Sequence, residues 1–234
     1  IYLLLPGVLA GYSPILVAVG VSALIIIVGS YITHGFNRTT TAAVLGMLAT
    51  IIFTGLLAYF AVKFSALSGF HDDEAVYLNF NTRGPIDLVW RLLGVIMIGL
   101  LGVLYDAAIS QAVIVEELHH VGPHLPRQYI YKRAIRIGRE HIGALVDTLA
   151  IAYVGVSLPL LLLFYSANAP LGQIINREIF ATEIVRALVG SIGLILTVPI
   201  TTLISVLILI KPEAGADNSI IDKEAQALHK FTNI

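Results

Sequence analysis

Five stretches of this chain, near residues 12–33, 41–64, 88–113, 141–165 and 183–210, stay apolar over lengths that suit a bilayer. A helix rises about 1.5 Å per residue and bilayer hydrocarbon is about 30 Å thick, so roughly 20 apolar residues make one crossing. Composition agrees: 57% of the 234 residues are hydrophobic and only 12% are charged, against about a quarter charged in soluble domains. The fold class is therefore an all-α polytopic membrane protein. The opening IYLLLP is already apolar and has no charged n-region, so it does not read as a signal peptide. It reads as the last turns of a further helix, ending at Pro6, whose beginning is missing.

The connections between spans differ in charge. Residues 121–141 carry Arg127, Lys132, Arg133, Arg136 and Arg139 against Glu140, whereas 65–87 carries Asp72, Asp73, Glu74 and Asp87 against Arg83. Basic loops stay in the cytoplasm, which puts 121–141 inside, 65–87 outside, and the short turn at Arg38 and the tail 211–234 inside. Within 126–139, Ile130, Ala134 and Ile137 share one side and Lys132, Arg133, Arg136 and Arg139 cover the other. That pattern predicts an amphipathic helix on the inner membrane surface, with Arg127 and those four cations facing anionic lipid. A basic loop that only fixes orientation is the plainer alternative.

One carboxylate interrupts the third span. Asp106 shares a face with Gly99, Gly102, Ser110 and Glu117, at spacings of three, four and seven. Glycines allow close helix approach, and an ionised acid in mid-membrane costs about 2.5–3.5 kcal/mol on insertion scales, so such a face is expected to turn inward. The opposite side, of Ile, Leu and Val, would suit lipid. The next span carries Asp147, followed by Thr148. Asp147 lies about six residues from His141, roughly 9 Å, and Asp106 about five from Gln111, roughly 8 Å, so both are expected at similar depth. No Lys or Arg within the spans neutralises either. Two such acids, if close, would share a proton and titrate as a pair. The plainer reading is a buried Asp bonded to Ser110 or Thr148 as helix glue.

The last span carries Gly190, Gly193, Thr197, Thr201 and Ser205 in one stripe, interrupted by Pro199. It is either the lining of a hydrated path or a packing seam. Glu116, Glu117, His119, His120 and His124 crowd the end of the third span, and His71 to Glu74 the outer loop. Neither has the spacing of a metal motif, so no metal and no cofactor are expected. No phosphate-binding loop or nucleophile elbow is present, so an enzyme is not expected. A net charge of -1 gives nucleic acid no purchase. With no cysteine, redox compartment is unreadable.

Three segments, LYDAAISQAVIVEEL, IRIGREHIGALVDTLAIAYVGVSLPLLLLF and TEIVRALVGSIGLILTVPITTLI, together resemble the YibE/F-like family of prokaryotic membrane proteins, in order and over residues 84 to 206. LLLPGVLAGYSP and FNRTTTAAVLG add a weaker likeness. The resemblance implies a preceding helix and an extracytoplasmic domain, and it carries no reaction with it. Asp147 departs from the pattern, which expects an amide there. The order of glycine-bearing helix, Asp, Glu-Glu, basic segment and Gly/Thr helix is also similar to half of an RND-type permease core, especially the SecD/SecF subgroup. By that likeness Asp106 is a proton-relay acid, Glu116 and Glu117 close its helix, and a second half is supplied by a partner.

The expected function is a subunit of a transport or export system in the prokaryotic cytoplasmic membrane, proton- or cation-coupled through Asp106. Its partners are the bilayer and a second membrane protein or a further copy of itself. The alternative is a non-transporting scaffold or assembly subunit. Sidedness is directly testable because the chain has no native cysteine. A single cysteine at Asp73 should react with an impermeant reagent from outside, and one at Arg133 only after permeabilisation; the reverse pattern would invert the topology.

Overall fold

The computed structural model describes residues 6–7, 12, 14–69, 77, 87–166 and 170–211. The apolar opening before Pro6, the acids Asp72, Asp73 and Glu74 and the tail 212–234 lie outside them. The described residues form six helices and no strand: α1 (Pro14–His34), α2 (Arg38–Phe64), α3 (Leu88–Val121), α4 (Arg127–Ser166), α5 (Leu171–Ile175) and α6 (Glu178–Leu209). All but α5 are long and apolar enough to cross a membrane. The chain is a multi-pass membrane protein.

Local chemistry sets the helix ends. Gly35 takes φ +76° after α1, a conformation that favours glycine. Asn37 then caps α2 by accepting from the Thr40 amide at 2.6 Å. Asp87 caps α3 by accepting from the Val89 and Trp90 amides at 2.9 and 3.2 Å. At the far end of α6 the Arg127 guanidinium donates to the Ile210 and Leu207 carbonyls, which have no partner in their own helix and carry the negative end of its dipole.

α2, α3 and α6 pack against one another; α1 lies on α3 and α2, and α4 on α6 and α3. The closest approach is between α2 and α6, which run antiparallel. A Cβ placed on Gly46 would meet Thr201 Oγ1 at 2.6 Å, and one on Gly193 would meet Thr54 Oγ1 at 2.6 Å. Thr50 and Thr197, between those contacts, turn their hydroxyls onto their own helices at Gly46 O and Gly193 O. Met47, Leu93, Ile96, Met97, Leu100, Leu104 and Leu194 fill the space beside this seam.

The basic segment 126–139 is helical, but it is the first third of α4 and not a separate helix. At 40 residues α4 is about 60 Å long, twice the hydrocarbon thickness. No breaker separates the two parts, and Ile130, Ala134, Gly138 and Ile142 continue one buried row at intervals of four. α3 likewise runs on to Val121, past the expected end at 113. Ile130 and Ala134 are fully buried against Val115, Val206 and Ile210, so the row meets protein where lipid was expected. Ile137 is 44% exposed and lies outside the row.

Gly46→Val and Gly193→Val should each destabilise the purified protein by about 1–3 kcal/mol through overpacking. Gly99→Val, where a Cβ meets nothing within 4 Å, should leave it within about 0.5 kcal/mol. Thermal unfolding in detergent measures both; equal effects at all three positions would remove the seam from its central place.

Candidate functional site

Asp106 lies on the face of α3 that the chain leaves open. Its buried neighbours two residues away, Leu104 and Ala108, are 1% exposed, and two residues is about 200° around a helix. Gly99, Gly102 and Glu117 share the open face, and Ser110 is half-buried at its edge. Neither Gly99 nor Gly102 has anything within 4 Å of a Cβ position. The Leu and Ile side packs into the bundle, so the inside and outside of this helix are the reverse of the sequence expectation. Among the described residues Asp106 has no hydrogen-bond or ion-pair partner.

Asp147 is also exposed, on the side of α4 away from the bundle. It stands nine residues from the buried Gly138, two and a half turns, and so points opposite the packed row. Thr148 bonds its own helix at Ala144 O, 2.9 Å. Two contacts give the register of α3 against α4. Gln111 reaches Ala134 O at 3.0 Å and borders Gly138, while Leu100 and Leu149 both meet Gly190. Interpolating, Asp106 is level with residue 142 or so, and Asp147 with residue 101 or so. The acids are therefore offset by about five residues, roughly 7–8 Å along the axis. In place of the equal depth expected, the two carboxylates are offset along the axis and exposed on different helices.

The stripe Gly190, Gly193, Thr197, Thr201 and Ser205 is wholly buried. It is the α6 half of the seam with α2, and Gly190 receives Leu100. Sequence reasoning missed its companion, Gln111. That side chain is 2% exposed and donates to Ala134 O and, at 2.7 Å, to Thr202 Oγ1. Thr202 in turn donates to Val198 O at 2.6 Å. One amide thus ties α3, α4 and α6 together, and its signal was an amide beside Ser110 in the largely apolar run AISQAV.

A second omission is a charge pair. Arg186 lies inside the last span and contacts Glu183 at 3.1 Å, with both side chains mostly buried. The i,i+3 spacing was readable. Arg186 neutralises Glu183 and neither aspartate. Of the basic residues, Arg127 caps α6 and Arg133 lies over the Tyr129 ring at 5.5 Å, while Lys132, Arg136 and Arg139 are exposed. Among the described residues no three His, Asp or Glu side chains come together in a way that could hold a metal ion.

The model of the YibE/F-like protein family matches residues 1–211, and the chain belongs to that family. No curated protein and no solved structure matches it.

The register generates a test of the two acids. Stability changes of Asp106→Asn and Asp147→Asn should add in the double variant within about 0.5 kcal/mol, as for sites without shared partners. A coupling above about 1 kcal/mol would mean the carboxylates interact after all.

Proposed function

We propose that this YibE/F-like chain is a non-enzymatic subunit of a transport or export assembly in the prokaryotic cytoplasmic membrane. In this reading the open face of α3 seats against another membrane protein, and Asp106 is the ion- or proton-relay acid at that contact. The observation that carries it is Asp106 exposed on the outward face of α3, with Gly99 and Gly102 open beside it. Facing lipid, that acid would cost a few kcal/mol. Facing a second protein surface, its glycines permit close approach and its carboxyl gains a partner or a shielded proton site. The α6 outer face supplies the contrast. Ile184, Leu188, Ile192, Ile195, Leu203 and Leu207 are all exposed there and all aliphatic, as lipid contact requires. The likeness of element order to an RND half-core supports the same role, and the positive-inside bias supports a cytoplasmic basic end.

The scaffold reading also has an observation in its favour. The hydroxyl stripe of α6 packs closely on α2, Gly46 against Thr201 and Gly193 against Thr54, which supports a packing role. Substitution separates the two. Asp106→Asn keeps size and most hydrogen bonding but cannot exchange a proton. In a relay it should leave the protein folded, inserted and assembled while abolishing complementation of the deletion phenotype. In a scaffold the same variant should complement fully. Gly102→Trp should strip the companion protein from the purified complex in either case; retention of the companion would mean that the α3 face is not the contact.

A further inference from the structure

The exposed cations of α4 carry an inference independent of Asp106. Lys132, Arg136 and Arg139 follow at intervals of four and three, which keeps them on one side of the helix. With Tyr131 and Ile135 they line a surface concavity of about 320 Å³. None of the three cations has an ion-pair or hydrogen-bond partner among the described residues. Glu140, one turn from Arg136 on the same exposed side of the helix, pairs with none of them.

Their height along the bundle is set by neighbours. Arg127 reaches Ile210 at the end of α6, and Gly138 packs on Val198. The cations therefore stand level with about residues 197–205 of α6, toward the end that the positive-inside bias puts at the inner headgroups. Tyr131 and Ile135 pack toward the Val206 and Val198 clusters, which turns the concavity toward the α6 flank. The outer face of α6 presents exposed Leu203 beside the cations and exposed Ile195 and Ile192 deeper than Arg139. Charge above and aliphatic surface beside it match the two ends of one molecule.

We propose that Lys132, Arg136 and Arg139, with Tyr131 and Ile135, form a binding site for the phosphodiester headgroup of an anionic phospholipid whose acyl chains lie along the α6 flank. Three cations neutralise a phosphate and draw net-negative lipid in preference to zwitterionic lipid. The Tyr131 hydroxyl adds a donor, and the long stems of the cations cover apolar surface while their heads reach the phosphate. A free phosphate shares the headgroup chemistry but makes no use of the aliphatic flank.

The test uses the full chain purified in detergent and titrated with phosphatidylglycerol or phosphatidylcholine of the same acyl chains, read by native mass spectrometry. Phosphatidylglycerol should be retained in preference. Lys132→Gln, Arg136→Gln and Arg139→Gln should each weaken it roughly five-fold, and more in combination. Lys132→Arg with Arg136→Lys and Arg139→Lys should keep it. Should the triple Gln variant fail to fold, the single variants decide. Equal retention of the two lipids, unchanged binding in the Gln variants, or an equal loss from Arg38→Gln at the same end would overturn the site. Displacement of the lipid by millimolar inorganic phosphate would overturn the lipid in favour of a soluble phosphate.

Discussion

The structure depends on how closely two backbones can approach where no hydrophobic effect drives them together. Lipid tails are as apolar as leucine, so helices in a bilayer associate through packing and hydrogen bonds. α2 and α6 achieve this with small residues. Gly46 admits Thr201, and Gly193 admits Thr54. The hydroxyls of Thr50 and Thr197 return to their own helices, so the seam buries polar side chains without leaving those two donors unpaired. Once α2 and α6 are fixed, α3 fills the groove beside them with Leu93, Leu100 and Leu104. Gln111 then pins α4 across α3 and α6.

That order of packing explains the unusual outer surface. α3 turns its large aliphatic side chains to the seam because a groove between small residues must be filled by large ones. Its Gly99–Gly102–Asp106 face is what remains. In water such a face would be ordinary. In a bilayer it is an unfavourable surface, in contrast to the exposed aliphatic residues of α6. The contrast between two outward faces of one bundle is stronger ground for a protein neighbour than either face alone. Under the assembly reading it also gives the neighbour a chemistry: close backbone approach where the glycines lie, and a donor or a shared proton where Asp106 lies.

The spans were legible because hydropathy over 20 residues is a large signal, and the α6 stripe was legible because its spacing is regular. What failed was direction. The rule that polar faces turn inward placed Asp106 in the core, and only the packing of α2 on α6 reverses it. A change of composition near residue 140 read as a boundary between helices, yet Ile130, Ala134, Gly138 and Ile142 already formed an unbroken row across it. Relative depth was misjudged because it was measured from assumed helix ends. The contacts of Gln111 with Ala134 and of Leu100 and Leu149 at Gly190 provide a register that no single span contains. Arg186 was overlooked for the opposite reason: a long apolar run hides one charge, and its partner Glu183 sits only one turn away.

The corrected register changes what a partner must do. Asp147 is level with residue 101 or so of α3, about 20 Å from the Asp87 cap, whereas Asp106 is about 27–29 Å from it. With the hydrocarbon taken to begin at the Asp87 cap and to be about 30 Å thick, Asp147 is the deeper acid, and the cost of an ionised carboxylate rises toward the bilayer centre. The two also point apart, since Asp147 leaves α4 opposite the row that packs on α3 and α6. A neighbour with one crossing helix laid on the α3 face would cover Asp106 and leave the more costly acid in lipid. Under the assembly reading, covering both requires either a neighbour with several spans that wraps around α4, or two separate contacts on this chain. The second arrangement suits a subunit that sits between others, with Asp106 at one junction and Asp147 at the next, and it accounts for two membrane acids exposed on different helices.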